Sequence, residues 1–442
     1  MSRLALVRAS WFAVLLFGVL SLTALPARAQ APAAGARELP LRADQAAPKV
    51  FVLTMGPGDH PFARFGHNAL LLTWPGRAVV YNWGTFAFEG MQGIEDFMAG
   101  RFRYWLSLAR LDRTLDFYEM QNRTLVAQEL DMTEAERKSL AAAVAVNALP
   151  QNRYYNYDYF RDNCTTRVRD AIDQALGGAL KKAIGGDGRY TFREHAMRLS
   201  APEPWLYFGL DLALGRLTDR GTSRYDELWI PDQLEAALAA AKISRNGEVR
   251  PLVLETRKLV SAERPAALTE PPSRVGWFLF IGALLGGVGF GLGERGRTHR
   301  AARAGFGAFA MLFGTVFGLV GCILLFFWLF TKHWSAYQNE NLLVCTPWSL
   351  VLLVTAFGLA LGRPRSTEWT RQLLFASALS SLLAVLLALI PGFGQDNTRI
   401  AALFAPIWCG LYAGACRLTN QPLLPQKRST TSASDVPSAT TT

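Results

Sequence analysis

With 442 residues the chain has room for two domains, and half of its residues are hydrophobic. A net charge of +11 is compatible with a nucleic-acid partner, but the arginines sit largely in short loops between apolar segments, which is a membrane-orientation pattern. Zinc-type Cys/His spacing, a phosphate-binding glycine loop and a dinucleotide fingerprint are missing from the sequence, so no metal, no cofactor and no nucleic acid is expected.

In chain order, residues 1–29 read as an export signal. Arg3 and Arg8 form the positive start, Trp11 to Leu25 the apolar run, and Ala27-Arg28-Ala29 an A-x-A cleavage site. No cysteine follows that site, so the protein is not itself a lipoprotein. Residues 30–48, rich in Ala and Pro, read as a flexible leader. Lys49 to Met55 is the first strand. Phe65 to Trp74 and Arg77 to Gly84 read as a hairpin around the Pro75-Gly76 turn. With that turn, Trp74 faces Arg77, Asn82 faces Ala69 and His67 faces Gly84. His67 and Asn82 then share a face as diagonal neighbours. Phe86 to Arg103 is irregular, ending in a helix end at Phe97 to Gly100, and Leu106 to Leu111 is a short strand. Arg113 to Asn122 is a helix, Arg123 to Leu130 a strand, and Thr133 to Leu149 a helix opened by a Thr133/Glu136 capping box.

The stretch from Asn156 to Asp170 organises the outer part of the chain. An aromatic run enters a turn, and Asp162 or Asn163 can cap a helix whose buried face carries Val168, Ile172 and Leu176. Cys164 therefore sits at the helix N-terminus, where the partial positive charge favours thiolate, and Arg167 lies one turn on. The other cysteines, Cys322, Cys345, Cys409 and Cys416, fall in or beside apolar C-terminal segments. A lone unpaired cysteine in an exported domain is worth reading as reactive rather than as a small core residue. His67 is the candidate base, Asn82 the group that fixes its tautomer, and the helix-start amides an oxyanion hole. His60, in a loop, and His195, in a Thr191 to Ser200 helix, are weaker bases. Arg123, Arg161 and Arg167 read either as surface charges or as a phosphate holder near the thiol.

After apolar residues Pro202 to Leu217, a helix following Pro231 and a strand at Val253 to Val260, a linker covers residues 263–274. The outer domain thus spans residues 49–262. Five apolar segments follow within residues 275–416: Val275–Leu292, Ala304–Phe330, Val344–Leu361, Gln372–Ile390 and Ile400–Ala415, near the lengths a bilayer requires. Loops carrying Arg295, Arg297, Arg300 and Arg303, then Arg363, Arg365 and Arg371, then Arg417, Lys427 and Arg428, alternate with loops of little charge. The positive-inside rule places the basic loops in the cytoplasm and the Cys164 domain outside it. Residues 417–442 read as a disordered cytoplasmic tail.

These residues carry a family resemblance. Phe65-Gly66-His67, Tyr81-Asn82-Trp83-Gly84-Thr85-Phe86, Asn122-Arg123 and Asp162-Asn163-Cys164-Thr165-Thr166-Arg167 resemble the periplasmic domain of Lnb-type lipoprotein N-acyltransferases. His333, Asn339, Asn341-Leu342-Leu343 and Pro347 are similar to that family's membrane-domain signature. More distantly, the helix-start cysteine after a strand histidine resembles permuted papain-like acyltransferases that act on lipids. The resemblance implies an α+β permuted papain-like (NlpC-type) periplasmic domain fused to an all-α domain of five transmembrane helices, in the bacterial inner membrane. It implies a ping-pong reaction in which Cys164, with His67 as base, takes an acyl chain from a membrane phospholipid as a thioester. The chain then passes to the α-amine of a diacylglyceryl-cysteine lipoprotein. Tyr81, Arg123, Arg167, His333, Asn339 and Asn341 are the substrate-binding candidates. For His333 and the two asparagines the competing reading is a polar membrane-edge loop, since Trp334 and Tyr337 are interface aromatics. A hydrolase of the same thiol chemistry and a non-catalytic assembly protein are the alternatives.

Overall fold

The computed structural model describes residues 46–87, 90–245, 247–390 and 394–423. The expected export signal, nearly all of the leader and most of the tail lie outside these residues. The described chain divides into two compact units. The first runs to Ser273 and takes in Ile323–Glu340 and residues 394–397; the second holds the rest, from Arg274.

The outer unit is built on a seven-stranded antiparallel sheet of order β6-β4-β3-β2-β1-β5-β9. Its strands are β1 (Lys49–Met55), β2 (His67–Trp74), β3 (Arg77–Thr85), β4 (Arg103–Arg110), β5 (Leu125–Leu130), β6 (Tyr154–Asn156) and β9 (Val253–Val260). A separate hairpin joins β7 (Lys242–Arg245) to β8 (Glu248–Pro251). The helices are α1 (Gly90–Met98), α2 (Leu111–Met120), α3 (Glu134–Ala148), α4 (Cys164–Ala175), α5 (Ala179–Ala183), α6 (Phe192–Ser200), α7 (Pro204–Ala213) and α8 (Pro231–Ala240).

Alternation along the strands gives the sheet two apolar faces. Val50, Val52, Leu70, Leu72 and Tyr81 pack with Val168 and Ile172 of α4 in the larger core, while Leu53, Met55, Leu71 and Val80 pack with Tyr118 of α2 in a smaller one. The hairpin register follows from its two-residue turn: Trp74 pairs with Arg77 and Leu70 with Tyr81. The ladder ends there, so Asn82 and Gly84 extend past its last pair. Thr133 and Glu136 form the expected capping box on α3.

Several expectations shift. β4 starts at Arg103 and ends at Arg110, with Leu111 already helical, because its Tyr104, Leu106 and Leu108 alternate inward earlier than the apolar run suggested. The short edge strand β6 and the β7–β8 hairpin were not expected. The glycine-rich stretch after α4 holds one further short helix, α5.

Arg193 on α6 is fully buried. Its Nε donates to Asp219 at 2.7 Å, its Nη1 to Asp211 at 3.2 Å and its Nη2 to the Leu214 carbonyl at 2.7 Å. Removing one partner of such a cluster leaves buried charge uncompensated. Arg193→Ala is expected to destabilise the protein by about 3–5 kcal/mol, read as a lowered thermal unfolding midpoint in detergent, whereas Arg189→Ala, an exposed pair, should leave it within error.

The second unit is helical. Its elements include α9 (Val275–Arg295), most of α10 (Arg300–Phe330), α11 (Leu352–Ala360), α12 (Pro364–Ala388) and α13 (Thr398–Thr419). Four helices among the described residues are long and apolar enough to cross a membrane, or five if the bent pair Trp334–Leu343 and Pro347–Ala360 counts as one span. The third expected span is thus a broken one, if it spans at all. Pro347 opens a 3-10 turn, and only the nine residues of α11 follow it as α-helix, too short to span alone. α9 meets α13 through glycine: a Cβ on Gly286 would stand 2.2 Å from the Pro406 carbonyl oxygen, so only glycine permits this approach.

Candidate active site

Asn163 starts α4. Its Oδ1 accepts from the Thr166 amide at 2.9 Å, and the Thr166 hydroxyl accepts from the Asn163 amide at 2.8 Å, a reciprocal capping box. Of the two capping candidates Asn163 is therefore the cap. Its Nδ2 donates to the carbonyls of Tyr159 and Trp229 at 2.8 and 2.9 Å, which ties the helix start to two loops. Cys164 is the first helical residue and is 7% exposed.

His67 is the first residue of β2, and it pairs with Met55 at the end of β1. Its Nε2 lies 3.2 Å from Asn82 Oδ1. An amide oxygen accepts, so Nε2 carries the ring proton and Nδ1 is the nitrogen left for the sulfur. The His67 imidazole, the Asn68 amide and the Thr165 hydroxyl all act on the sulfur, the hydroxyl at 3.8 Å. Burial pushes the Cys164 thiol up. The His67 charge and hydrogen bond outweigh burial, with the Asn68 amide and Thr165 adding to them, and the thiol is held at about 7 instead of 9.0.

Gly84 lies beside the pair. It adopts φ +91° at a bulge in β3, and a Cβ there would lie 3.4 Å from Cys164 Cβ and 3.8 Å from the His67 ring. Tyr104 and Tyr157, stacked at 4.0 Å, wall the other side, with Tyr157 against the same point. Burial pushes the Tyr157 phenol up, and the Cys164 charge adds to it, so the ring stays neutral. Sequence reasoning set Gly84 opposite His67 without giving it a role, and did not single out these tyrosines. A glycine inside an aromatic strand was the available signal, since it marks close backbone approach.

The expected substrate residues fall elsewhere. Tyr81 is 2% exposed and sits in the larger core, so it presents no surface to a ligand. Arg123 is buried as well. Its Nε donates to the Gly56 carbonyl at 2.8 Å and its guanidinium lies 4.8 Å from the Tyr118 ring centroid, which makes it an anchor of the β1–β2 loop. Arg167 is held by Asp162, with Nη2 to Oδ2 at 2.7 Å, and stacks on Tyr155 at 4.3 Å, so its charge is engaged locally. His333 Nε2 donates to the Phe97 carbonyl at 2.9 Å. Asn339 Nδ2 donates to the Leu212 and Ala213 carbonyls at 2.9 and 3.0 Å, satisfying the free end of α7. Asn341 is fully buried in the membrane unit, where its carbonyl accepts from Val344 and Cys345 at 3.1 and 2.8 Å. These three are loop anchors. His60 Nδ1 accepts from the Phe62 amide at 3.3 Å, and His195 Nε2 lies 3.0 Å from Glu227 Oε1.

Arg161 and Trp334 belong to a link that was not expected. Trp334 Nε1 donates to Asp158, whose other oxygen accepts from the Phe160 and Arg161 amides at 3.0 and 2.9 Å, and the Arg161 guanidinium lies 3.6 Å from the Trp334 ring centroid. The indole thus braces the turn that leads into Cys164.

No group of three or more His, Cys, Asp or Glu side chains among the described residues is arranged to hold a metal ion. Comparison with curated proteins and with solved structures finds no match. Comparison with family models finds two: the Lnb N-terminal periplasmic domain over residues 40–196 and the Lnb transmembrane domain over residues 297–408. Matched by both domains in their order along more than half its length, the chain belongs to the Lnb family, that of a membrane-anchored protein with a periplasmic domain.

Proposed function

We propose that this protein is a lipoprotein N-acyltransferase that works through a thioester on Cys164. The observation that carries the reading is the Cys164–His67–Asn82 arrangement, with its thiol held at about 7, in a chain that also has membrane-spanning helices. Such a thiol is about half ionised at pH 7, far more than an ordinary cysteine. The order of a strand histidine, a neighbouring strand asparagine and then a helix-start cysteine is that of a permuted papain-like site, and it supports that fold reading for the outer unit.

In the first half-reaction the Cys164 thiolate attacks an ester carbonyl of a membrane phospholipid. The oxyanion is met by amides at the start of α4, where the helix leaves backbone N–H groups unpaired. The ester C–O bond breaks as the His67 imidazolium gives its proton to the departing glycerol oxygen, releasing lysophospholipid. In the second, the α-amine of a diacylglyceryl-cysteine attacks the thioester, His67 takes the amine proton, and thiolate leaves. Asn82 keeps the imidazole aligned through both steps. Donor and acceptor are both lipid-anchored, and a thiol tethered at the same bilayer, the inner membrane in this reading, gains effective concentration over a soluble one.

The test incubates the purified full chain with phospholipid and then with a diacylated lipopeptide. An acyl adduct on Cys164 that chases into the peptide amine is the expected result. Release of free fatty acid in place of transfer reassigns the protein as a hydrolase, and no adduct at all sinks the thioester. Asn82→Ala should lower transfer by about 10–100-fold, since misalignment of a reacting group by an ångström costs up to that order, while adduct formation stays detectable.

A further inference from the structure

Two short helices of the outer unit turn apolar side chains to solvent. α1 presents Met91, 55% exposed, and Ile94, 40% exposed; α7 presents Trp205, 53% exposed. Neither helix is loosely attached. Phe97 of α1 packs inward on Phe62 and Phe102, and Tyr207 and Asp211 of α7 are buried. The outward residues are therefore the faces of firmly seated helices, and exposed apolar faces on such helices mark candidate interaction surfaces.

What lies against that surface follows from the loop both helices share. Residues 331–340 begin where α10, a 31-residue span, ends at Phe330. The Lys332 amide donates to the Ala99 carbonyl at 2.9 Å and His333 to Phe97 at 2.9 Å, which fixes the end of α1. The Gly215 amide donates to the Ser335 carbonyl at 2.7 Å and Asn339 to Leu212 and Ala213, which fixes the end of α7. The end of a membrane span lies at the lipid–water boundary, and Lys332, Trp334 and Tyr337 are residue types that populate it. Both helices are thus hung at the height of that boundary.

We propose that α1 and α7 insert Met91, Ile94 and Trp205 into the lipid surface, so that the outer unit contacts the bilayer directly as well as through its spans. Aromatic and aliphatic side chains on short helices at this depth are the means by which interfacial helices bind. The consequence reaches the thiol. From Phe97 the rings of Phe102, Tyr104 and Tyr157 contact one another in succession, at 5.8, 5.3 and 4.0 Å, up to the point beside Gly84 and Cys164. A lipid-seated α1 is in this way joined to the sulfur by contacting rings. The inference rests on the spanning helices and the exposed residues, and stands whichever acceptor the thioester has.

The test places a photo-crosslinking p-benzoylphenylalanine at position 91, 94 or 205 of the full chain, with position 249, an equally exposed apolar site on β8, as control. The protein is reconstituted into phosphatidylethanolamine/phosphatidylglycerol vesicles carrying acyl-labelled lipid. Lipid adducts at 91 or 94 and at 205, well above position 249, are expected. Adducts to a second copy of the chain at these sites, or lipid labelling no greater than at 249, overturn the proposal. Cys164 alkylation of each variant confirms its fold independently of lipid.

Discussion

Cys164→Ser is expected to abolish acyl transfer while leaving the protein folded. The loss should be about 10⁴-fold or more, the scale seen when a covalent nucleophile is removed and only binding and oxyanion stabilisation remain. Serine is nearly isosteric, so the capping box of Asn163 and Thr166 and the core under Val168 stay intact. What is lost is the ionised form, because a hydroxyl at this position stays protonated near neutrality and the buried surroundings disfavour its charge further. The measurement is the rate of lipopeptide N-acylation, beside the thermal midpoint and the mass of the phospholipid-treated protein. Unchanged midpoint, no adduct and no transfer is the expected pattern. A variant that still transfers at the parent rate removes Cys164 from the chemistry.

His67→Gln should have the second-largest effect, and it carries a pH signature. In the parent protein the thiolate fraction rises as pH passes through about 7, so alkylation of Cys164 by iodoacetamide should climb through that value and level off above it. In the variant the opposing charge is gone, and only the Asn68 amide and the Thr165 hydroxyl still work against burial. The midpoint should then move upward, toward or beyond the ordinary thiol range, and the alkylation rate near neutrality should fall. Transfer should fall by about 10²–10⁴-fold, the range for a general acid–base group. A midpoint that stays near 7 in the variant would show that the helix start and the Asn68 amide alone depress the thiol.

How much of this was legible in the sequence depends on the range of the interaction. The hairpin register followed from Pro75-Gly76, because a two-residue turn dictates every pair after it. It put His67 and Asn82 within reach of one another. The placement of Cys164 at a helix start followed from Asn163 and the spacing of Val168 and Ile172. What could not be read was which charged and polar residues stay exposed. Arg123, Tyr81 and Asn339 look like ligand-binding residues in a string, and only tertiary packing shows that their partners are the Gly56 carbonyl, the sheet core and the end of α7. The break in the third apolar segment was hidden for a local reason: hydropathy counts residues, whereas Pro347 decides where helix begins.

The outer unit recruits Ile323–Glu340 from the far end of a spanning helix. During synthesis the chain through Ser273 emerges first, but the seat for α1, α7 and the Asp158 turn is made only after α10 has been inserted. Biogenesis of the reactive half therefore waits on the bilayer. A secreted fragment ending at residue 273 should accumulate with its thiol turn unbraced, since Trp334, which braces it, comes only with the spanning helix.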